Sequence, residues 1–279
     1  MNKGKLGIIA GGGGIPHMLV KHCIETGREF FVLAIKDNAD KGLVNSSVPH
    51  LWIRIGQAGT GFDTFKKENV KEVVMIGVIK RPSVFDLVPD LKTTALLAKI
   101  GSKALGDDGI LRVLANEIES EGMKVIGVHE VLTEILVKKG VYGKVKPDKQ
   151  AVLDIERGVE VALKLGEADV GQATIVQQGL VLAVEGIEGT DELIRRSKDY
   201  ARGGVGGVLV KLKKPQQDVR LDLPTIGAET VKNAHKSGLR GIAVHEGNML
   251  IVDEAEVIKL ADKLGLFIIG INPSDKIKV

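Results

Sequence analysis

Short apolar runs, many of them β-branched, alternate with helical patterns along the first half of the chain. Residues 6–10 form one such run and residues 30–35 the next, and between them apolar positions recur at helical spacing from Ile15 to Cys23. Runs of this kind, separated by helices, are typical of parallel strands that are covered on both faces. We therefore predict an α/β domain with a parallel sheet over residues 1–137. Its further strands are expected at residues 51–55, 73–78 and 124–128, and its helices at residues 63–68, 91–105 and 109–121.

The pattern changes after residue 137. Residues 138–149 (KKGVYGKVKPDK) are rich in lysine and glycine and show little periodicity, which predicts a linker. Gln178-Gly179 lies between two apolar runs, as in a β-hairpin. We predict a second α/β domain over residues 150–279. Its expected strands are residues 173–177, 180–184, 208–212, 241–245, 249–252 and 267–271, and its expected helices are residues 151–165, 192–201, 229–237 and 255–264.

Composition narrows the possible classes of protein. Glycine accounts for 35 of the 279 residues, well above the usual fraction of about 7%, and only 3% of residues are aromatic. Collagen and disorder are excluded, because no Gly-X-Y period is present and aliphatic residues are abundant. The 39 basic and 36 acidic side chains nearly balance, which disfavours nucleic-acid binding. One cysteine and no long apolar run predict a cytoplasmic protein without a transmembrane span.

Four glycines follow the first predicted strand. Gly11 to Gly14 lead directly into a helix that begins near Pro16, so backbone N–H groups and the positive end of a helix dipole would meet at one point. A phosphate or pyrophosphate suits such a point, and we favour that interpretation over a purely conformational role for the glycines. The dinucleotide fingerprint G-x-G-x-x-G is not matched, because Pro16 occupies its last position, and the P-loop pattern is also absent.

Charged residues before two predicted helices are the second candidate for chemistry. Asp222 alternates with Leu221 and Leu223 before Pro224, so in an extended segment its side chain would share a face with Arg220. That pair suits either a structural ion pair or a site for phosphate and Mg²⁺.

Two further charged residues are less distinctive. Asp191 precedes a helix, where a carboxylate often serves as a cap. Lys211, near the end of a predicted strand, suits either a solvated edge or an anion contact. Zinc sites and acyl-enzyme triads find no support, since H-E-x-x-H, C-x-x-C and G-x-S-x-G are absent.

Four motifs together resemble one family, the LpxI-type UDP-2,3-diacylglucosamine pyrophosphatases of lipid A biosynthesis. These motifs are LGIIAGGG at residues 6–13, GDD at residues 106–108, EGIEGTD at residues 185–191 and KPQQDVRLDLPTIG at residues 214–227. The resemblance covers essentially the whole chain, and the last motif is the most specific because it combines many fixed residues over a long span. One departure is Ala228, where the family more often has proline.

The resemblance implies a Rossmann-like N-terminal domain, a C-terminal α/β domain that carries the R-x-D-x-P-T motif, and a substrate cleft between them. It also implies Mg²⁺-dependent hydrolysis of UDP-2,3-diacylglucosamine to UMP and 2,3-diacylglucosamine 1-phosphate (lipid X). Asp222 is the expected catalytic residue, and Asp222 and Asp191 are the expected metal ligands. The expected substrate contacts are Gly11, Gly12, Gly13, Gly14, Asp107, Thr190, Lys211, Arg220 and Thr225.

The implied substrate has two acyl chains, so we expect peripheral contact with the cytoplasmic face of the inner membrane, and we take a homodimer as the default. Two other functions remain open. A nicotinamide or flavin oxidoreductase would use the same glycine loop, although Pro16 and the weak ribose-binding signal at Asp37 disfavour it. A non-catalytic nucleotide- or lipid-binding protein would keep Arg220 and Asp222 as a structural pair.

Overall fold

The first five strands form a parallel sheet, as the apolar runs predict. In the computed structural model, which describes residues 4–79, 89–100 and 107–276, these strands are β1 (Lys5–Ala10), β2 (Phe30–Ile35), β3 (His50–Ile53), β4 (Val70–Ile76) and β5 (Lys124–Val125). Their order in the sheet is β3-β2-β1-β4-β5. All six residues of β2 are buried, so both of its faces are covered. The order reverses direction between β1 and β4, and open α/β sheets bind ligands at such a switch point.

Among the described residues of the first unit, four α-helices accompany this sheet, and their ends follow from local sequence. They are α1 (Gly14–Thr26), α2 (Ala58–Lys67), α3 (Leu91–Ile100) and α4 (Asp107–Ser120). Gly27 caps α1 in the left-handed conformation, with φ of 67°. The Asp90 carboxylate accepts hydrogen bonds from the N–H groups of Thr93 in α3 (2.8 Å) and Gly59 in α2 (2.9 Å), so one side chain caps two helices.

The second half of the chain builds a six-stranded mixed sheet. Its strands are β6 (Gly140–Tyr142), β7 (Ala173–Gln177), β8 (Leu180–Val184), β9 (Val208–Lys211), β11 (Gly241–His245) and β13 (Phe267–Ile271), and two short strands, β10 (Thr225–Ile226) and β12 (Leu250–Ile251), pair separately. The order in the sheet is β6-β13-β11-β9-β7-β8. Only β9, β11 and β13 run parallel to one another, and the other three strands pair antiparallel. The helices of this half are α5 (Lys149–Glu167), α6 (Thr190–Ser197), α7 (Ala228–Lys236) and α8 (Glu254–Leu264).

Helices cover both faces of this second sheet. Buried residues of α5, such as Ile155, pack with Val208, Val210 and Phe267 on one face. Residues of α6, α7 and α8 pack in a separate cluster with the other face. The predicted α/β class is therefore confirmed for both halves of the chain. Among the described residues, no helix has the length and apolar composition needed to cross a membrane.

The chain divides into two compact units that do not follow the sequence strictly. Met1–Leu132 and Asp218–Asp222 form the first unit, and Thr133–Gln217 and Leu223–Val279 form the second. Leu221 explains this division, because it is buried in the core cluster of the first unit. Residues 138–149, expected to be a linker, instead contribute β6 to the second sheet, where Tyr142 pairs with Ile268. A strand of three residues is too short to show periodicity.

Two local expectations have different outcomes. The hairpin at Gln178-Gly179 is confirmed, since both residues have positive φ (53° and 77°), as a type I′ turn requires. The extended segment expected around Asp222 is wrong, because a turn replaces it. The Asp218 carbonyl accepts hydrogen bonds from the N–H groups of Leu221 (3.0 Å) and Asp222 (3.2 Å). Aspartate at the start of a turn is common, because its carboxylate also binds a following N–H group.

Candidate functional site

The glycine loop follows β1 at the switch point of the first sheet, and two of its four glycines already use their amides. Gly11 N–H donates to the carbonyl of Ile76 (2.8 Å), and Gly12 N–H donates to the carbonyl of Val78 (2.9 Å). Val78 N–H returns a bond to the Gly12 carbonyl (2.9 Å), so the loops after β1 and β4 are joined by a short bridge. These two glycines therefore bind protein backbone.

Close packing of backbones explains why glycine stands at these positions. A Cβ atom on Gly11 would lie 2.6 Å from the Val78 carbonyl oxygen, and one on Gly12 would lie 2.7 Å from the Asn38 carbonyl oxygen. Gly77 has a φ of 97°, and its Cβ would lie 2.7 Å from the Gly12 carbonyl oxygen. Gly13 differs, since its φ is 98° but a Cβ atom on it would meet no other atom within 4 Å. Open space therefore begins at Gly13.

The amides that suit an anion are those at the start of α1. Gly14 and Ile15 belong to the first turn, where N–H groups have no acceptor within the helix, and Pro16 has no N–H group. The first turn contains no acidic residue that would repel an anion. His17 Nε2 lies 3.2 Å from Asp40 Oδ2, which ties this exposed side chain to an acidic partner. In the first unit the candidate anion site is thus narrowed to Gly13, Gly14 and Ile15.

Arg220 makes an ion-pair network within the first unit. Its Nε and Nη2 donate to the two carboxylate oxygens of Asp218 (3.1 and 2.8 Å), and its Nη1 donates to Glu119 in α4 (2.8 Å). The hydrogen bonds from Arg220 hold the pKa of Asp218 below its usual value. The arginine expected to share a face with Asp222 is therefore paired with Asp218 and Glu119. Its expected contact with substrate stays a prediction.

Asp222 is exposed, although its neighbours Leu221 and Leu223 are buried. This arrangement suits a carboxylate that meets a ligand. The catalytic role expected of Asp222 stays a prediction.

In the second unit, the predicted residues collect at one edge of the sheet. Lys211 ends β9 and is only 7% exposed, and its Nζ donates to the Thr225 carbonyl (3.0 Å). Ala173, the first residue of β7, pairs with Lys211. Because β8 is antiparallel to β7, the end of β8 and the start of α6 at Thr190 follow at the same edge. The structure thus brings Lys211, Thr190 and Thr225 to the carboxyl edge of the parallel strands, where α/β sheets bind ligands.

Glu185, which follows β8 at this edge, was not among the predicted site residues. It is 4% exposed, and its two carboxylate oxygens accept hydrogen bonds from Thr190 Oγ1 (2.6 Å) and from the N–H of Gln172 (2.9 Å). A Cβ on Gly171 would lie 2.2 Å from the Glu185 carbonyl oxygen, so only glycine allows this approach. An acidic residue at the end of an apolar run, within the EGIEGTD motif, was the available signal.

His245 ends β11 at the same edge and was also missed. Its Nδ1 lies 3.3 Å from the N–H nitrogen of Lys213, and its Nε2 lies 3.4 Å from the side-chain nitrogen of Asn248. Burial, together with the charge of Lys213, lowers the pKa of His245 to about 4. The imidazole is therefore neutral at physiological pH.

The expected metal ligands lie in different units. Asp222 belongs to the first unit, and the exposed Asp191 belongs to the second, where it accepts a hydrogen bond from Asn233 Nδ2 (3.1 Å). In the part of the chain that the structure describes, no group of three or more His, Cys, Asp or Glu side chains is placed to hold a metal ion. Mg²⁺ often binds through one or two carboxylates together with substrate phosphates and water. The exposed carboxylate of Asp222 fits that mode. Asp107 begins α4, but its side chain and Gly106 lie outside the described residues.

Two family models match the chain. The model described as the LpxI N-terminal domain matches residues 5–135, and that described as the LpxI C-terminal domain matches residues 138–269. A curated relative from Caulobacter vibrioides, named UDP-2,3-diacylglucosamine pyrophosphatase LpxI, is 40% identical over 279 residues, which covers 98% of this chain and 99% of the relative.

Two solved structures are more distant. Bordetella bronchiseptica WbmG, in complex with NAD and UDP, has a TM-score of 0.33 at 11% identity and covers 93% of this chain and 94% of its own. Thermus thermophilus UDP-glucose 4-epimerase, in complex with NAD, has a TM-score of 0.31 at 16% identity over 53% of this chain and 42% of its own. Both TM-scores are too low to carry an argument about fold or function.

Proposed function

This chain belongs to the LpxI family, and we propose that it hydrolyses the pyrophosphate bond of UDP-2,3-diacylglucosamine to UMP and 2,3-diacylglucosamine 1-phosphate in lipid A biosynthesis. The observation that carries this proposal is the similarity across both domains to the Caulobacter vibrioides enzyme of that name. The expected product pair follows from the bond that is broken. Water attacks one phosphorus, the bond between that phosphorus and the bridging oxygen breaks, and the other phosphate leaves with the bridging oxygen.

Charge neutralisation is the main task of a site for this reaction, because phosphoryl transfer needs little covalent chemistry from the protein. Lys211 supplies a positive charge that is almost fully buried, where an electrostatic interaction is stronger than in water. The amides of Gly13, Gly14 and Ile15 offer a second set of donors in the first unit. We propose that these groups contact phosphate oxygens.

Asp222 is the residue that we propose to orient the attacking water or a bound cation. Its exposed carboxylate, flanked in sequence by two buried leucines, can accept a hydrogen bond from water or bind a cation. Mg²⁺, when held by this carboxylate and by phosphate oxygens, would add neutralising charge. Asp191 is the second candidate ligand. We also propose peripheral contact with the inner membrane, because the substrate has two acyl chains, and a homodimer.

The test is an assay of UMP release from UDP-2,3-diacylglucosamine with purified protein, with Mg²⁺ and with EDTA. We expect turnover that requires the cation. Asp222→Ala should lower kcat by about 10²–10³-fold or more with KM nearly unchanged, because it removes a group that acts mainly in the transition state. Asp63→Asn, at an exposed position of α2, is the matched control and should keep normal kcat.

Each part of the proposal has its own contrary result. Failure of the unmodified protein to release UMP would overturn the hydrolase and favour a non-catalytic binding protein. Near-normal kcat in Asp222→Ala would remove only the role of Asp222. Full activity in EDTA would remove only the metal.

A further inference from the structure

Glu185 is a buried carboxylate whose two oxygens each bind one donor. Oε1 accepts a hydrogen bond from the Thr190 hydroxyl (2.6 Å), and Oε2 accepts one from the backbone N–H of Gln172 (2.9 Å). The Glu185 N–H donates to the Ala173 carbonyl (2.8 Å), so the backbone is fixed as well as the side chain. Ala173 in turn pairs with Lys211. Glu185 therefore fixes Thr190 relative to the strand end that carries the buried lysine.

This hydrogen bond determines whether the Thr190 hydroxyl can act as a donor or as an acceptor toward a ligand. A threonine hydroxyl has one proton to donate and two lone pairs to accept. A short O–H bond to a carboxylate is charge-assisted and strong, so the proton of Thr190 is committed to Glu185. The half-buried oxygen of Thr190 then has only acceptor capacity for a ligand. A phosphate oxygen, which is itself an acceptor, does not fit that position.

We propose that Glu185 is a positioning residue that holds the Thr190 hydroxyl as a hydrogen-bond acceptor for a donor group of the substrate. This inference rests on the proposed function. The donor is a hydroxyl or N–H group, which both the acylated glucosamine and the uridine part of the substrate possess. Lys211, at the neighbouring strand end, has the opposite task of meeting phosphate oxygens. The edge thus separates recognition of donors from recognition of anions.

Glu185→Gln should change the Thr190 hydroxyl from a hydrogen-bond acceptor to a donor toward the substrate, with almost no change of side-chain shape. Glutamine has one acceptor oxygen and one donor nitrogen, whereas Glu185 faces two donors. If the glutamine oxygen keeps the N–H of Gln172, its NH₂ group must donate to Thr190, whose proton then points toward the substrate. The opposite orientation would set two N–H donors against each other. The variant therefore offers the substrate a donor where an acceptor is required.

A double-mutant cycle with the full-length enzyme tests the proposal. We expect Glu185→Gln and Thr190→Val each to raise KM by about tenfold, the typical effect of one lost hydrogen bond, with kcat within about threefold. The double variant should be no worse than either single variant, because both remove the same contact. Thr190→Ser retains the hydroxyl and should restore KM to within about threefold of the unmodified enzyme.

Asp154 provides the matched control for loss of a buried carboxylate in the same unit. It is 0% exposed and accepts hydrogen bonds from the N–H groups of Gly179 (2.7 Å) and Gln178 (3.2 Å) in the hairpin turn. Asp154→Asn should lower the melting temperature and leave KM unchanged. An effect of Asp154→Asn on KM equal to that of Glu185→Gln would overturn the proposal, since it would show that any buried carboxylate has the same influence.

Product inhibition identifies which part of the substrate donates. A raised inhibition constant for 2,3-diacylglucosamine 1-phosphate in the two single variants supports a sugar donor, and a raised constant for UMP supports a uridine donor. Unchanged constants for both, or additive losses in the double variant, would overturn the role of Glu185 while the unmodified enzyme still turns over. If the unmodified enzyme releases no UMP, the proposed function fails and this inference fails with it. Should Glu185→Gln not fold, Thr190→Val compared with Thr190→Ser decides the matter, and equal KM values in those two would overturn it.

Discussion

The glycine loop of the first unit and the sheet edge of the second unit are built on different physical principles. In the loop, Gly11 and Gly12 bring one backbone against another, and their amides bind the carbonyls of Ile76 and Val78. At the sheet edge, the side chains of Glu185 and Lys211 are buried, and each has hydrogen-bond partners in the protein. Gly11 and Gly12 leave no room for a side chain, whereas the sheet edge is held by hydrogen bonds of buried side chains.

This difference shows that a run of glycines has two possible explanations, close contact with protein backbone or close contact with a ligand. A glycine run reports that something approaches the backbone closely, but the neighbour can be protein as well as ligand. For Gly11 and Gly12 the neighbour is protein, whereas a Cβ atom on Gly13 would meet no other atom within 4 Å. A buried charged group costs free energy unless it is paired, so its presence in a sheet edge needs a reason other than stability. The second region is therefore the better guide to chemistry.

The sharpest test of the comparison lies in the loop after β4. Gly77→Ala should destabilise the first unit by about 3–5 kcal/mol, because the φ of residue 77 is positive and the added Cβ atom would lie only 2.7 Å from the Gly12 carbonyl oxygen. Gly13→Ala has almost the same φ but no neighbour, so only the backbone strain of about 1–3 kcal/mol remains. Denaturant unfolding followed by Trp52, the single tryptophan and part of β3, measures the difference.

The expected result is a cost for Gly77→Ala that exceeds the cost for Gly13→Ala by about 2 kcal/mol. Equal costs would mean that the loops after β1 and β4 do not touch, and the account of the glycines as backbone contacts would be wrong.

The stability of the two units should fall over different pH ranges, because the groups that titrate in them differ. The folded pKa of His245 is about 4, below its unfolded value of 6.5, so the unfolded state binds a proton first as pH falls. The second unit should therefore be fully stable above about pH 6.5 and lose up to about 3 kcal/mol by pH 4. Hydrogen exchange at the amides of β9 and β11 measures this loss. His245→Gln should remove the slope between pH 6.5 and 4.

The first unit should respond to acid in a lower window. The hydrogen bonds of Glu121 with Lys66 and Lys92 lower its pKa to about 2. For Asp90, burial alone would raise the pKa, but hydrogen bonds from Thr93 and from the N–H groups of Thr60 and Gly59 outweigh it and lower the pKa. Their stabilisation is present above the ordinary carboxylate range and is lost only as pH falls below it. An equal pH slope in both units between pH 6.5 and 5 would contradict the assignment to His245.

Sequence patterns predicted most of the fold, because buried strands are continuous apolar runs whatever surrounds them. Strands β1, β2, β7, β8, β11 and β13 all fall within a residue of their predicted positions. Strands β6 and β10 were not predicted, since two or three residues carry no periodicity. The turn at residues 218–222 reads as extended in sequence, because alternation of Leu221 and Leu223 with Asp222 looks the same in a strand and in this turn.

Candidate site residues could be predicted only where a local pattern, such as a strand end or a helix start, marks their position. Lys211 and Thr190 could be selected because each marks the end of a strand or the start of a helix. Glu185 also follows an apolar run, but its burial depends on Gly171 and on the hydrogen bond from its N–H to the Ala173 carbonyl, which are tertiary contacts, so the local sequence does not distinguish it from a solvated carboxylate. Residue types alone also do not show that Arg220 forms its ion pairs with Asp218 and Glu119.

Substitution of Arg220 should have the smallest effect on stability, and it tests the assignment of residues 218–222 to the first unit. It was expected to contact substrate, yet it forms a two-point contact with Asp218 and a third bond with Glu119. Lysine cannot reproduce the two-point geometry, so Arg220→Lys should destabilise the first unit by about 1–2 kcal/mol. We expect KM for the UDP-sugar to change by less than about threefold, since this substitution keeps the charge and affects mainly the protein pair.

Glu119→Gln is the control for the outer part of this network. Both partners of that bond are more than a third exposed, so its loss should cost less than about 1 kcal/mol. A tenfold rise in KM for Arg220→Lys would instead make this arginine a phosphate contact. A destabilisation seen only by hydrogen exchange in the second unit, with the Trp52 transition unchanged, would contradict the assignment of Asp218–Asp222 to the first unit. Loss of stability in the Trp52 transition alone would show that a segment from the second half of the sequence folds with the first sheet, because Leu221 and Arg220 bind there.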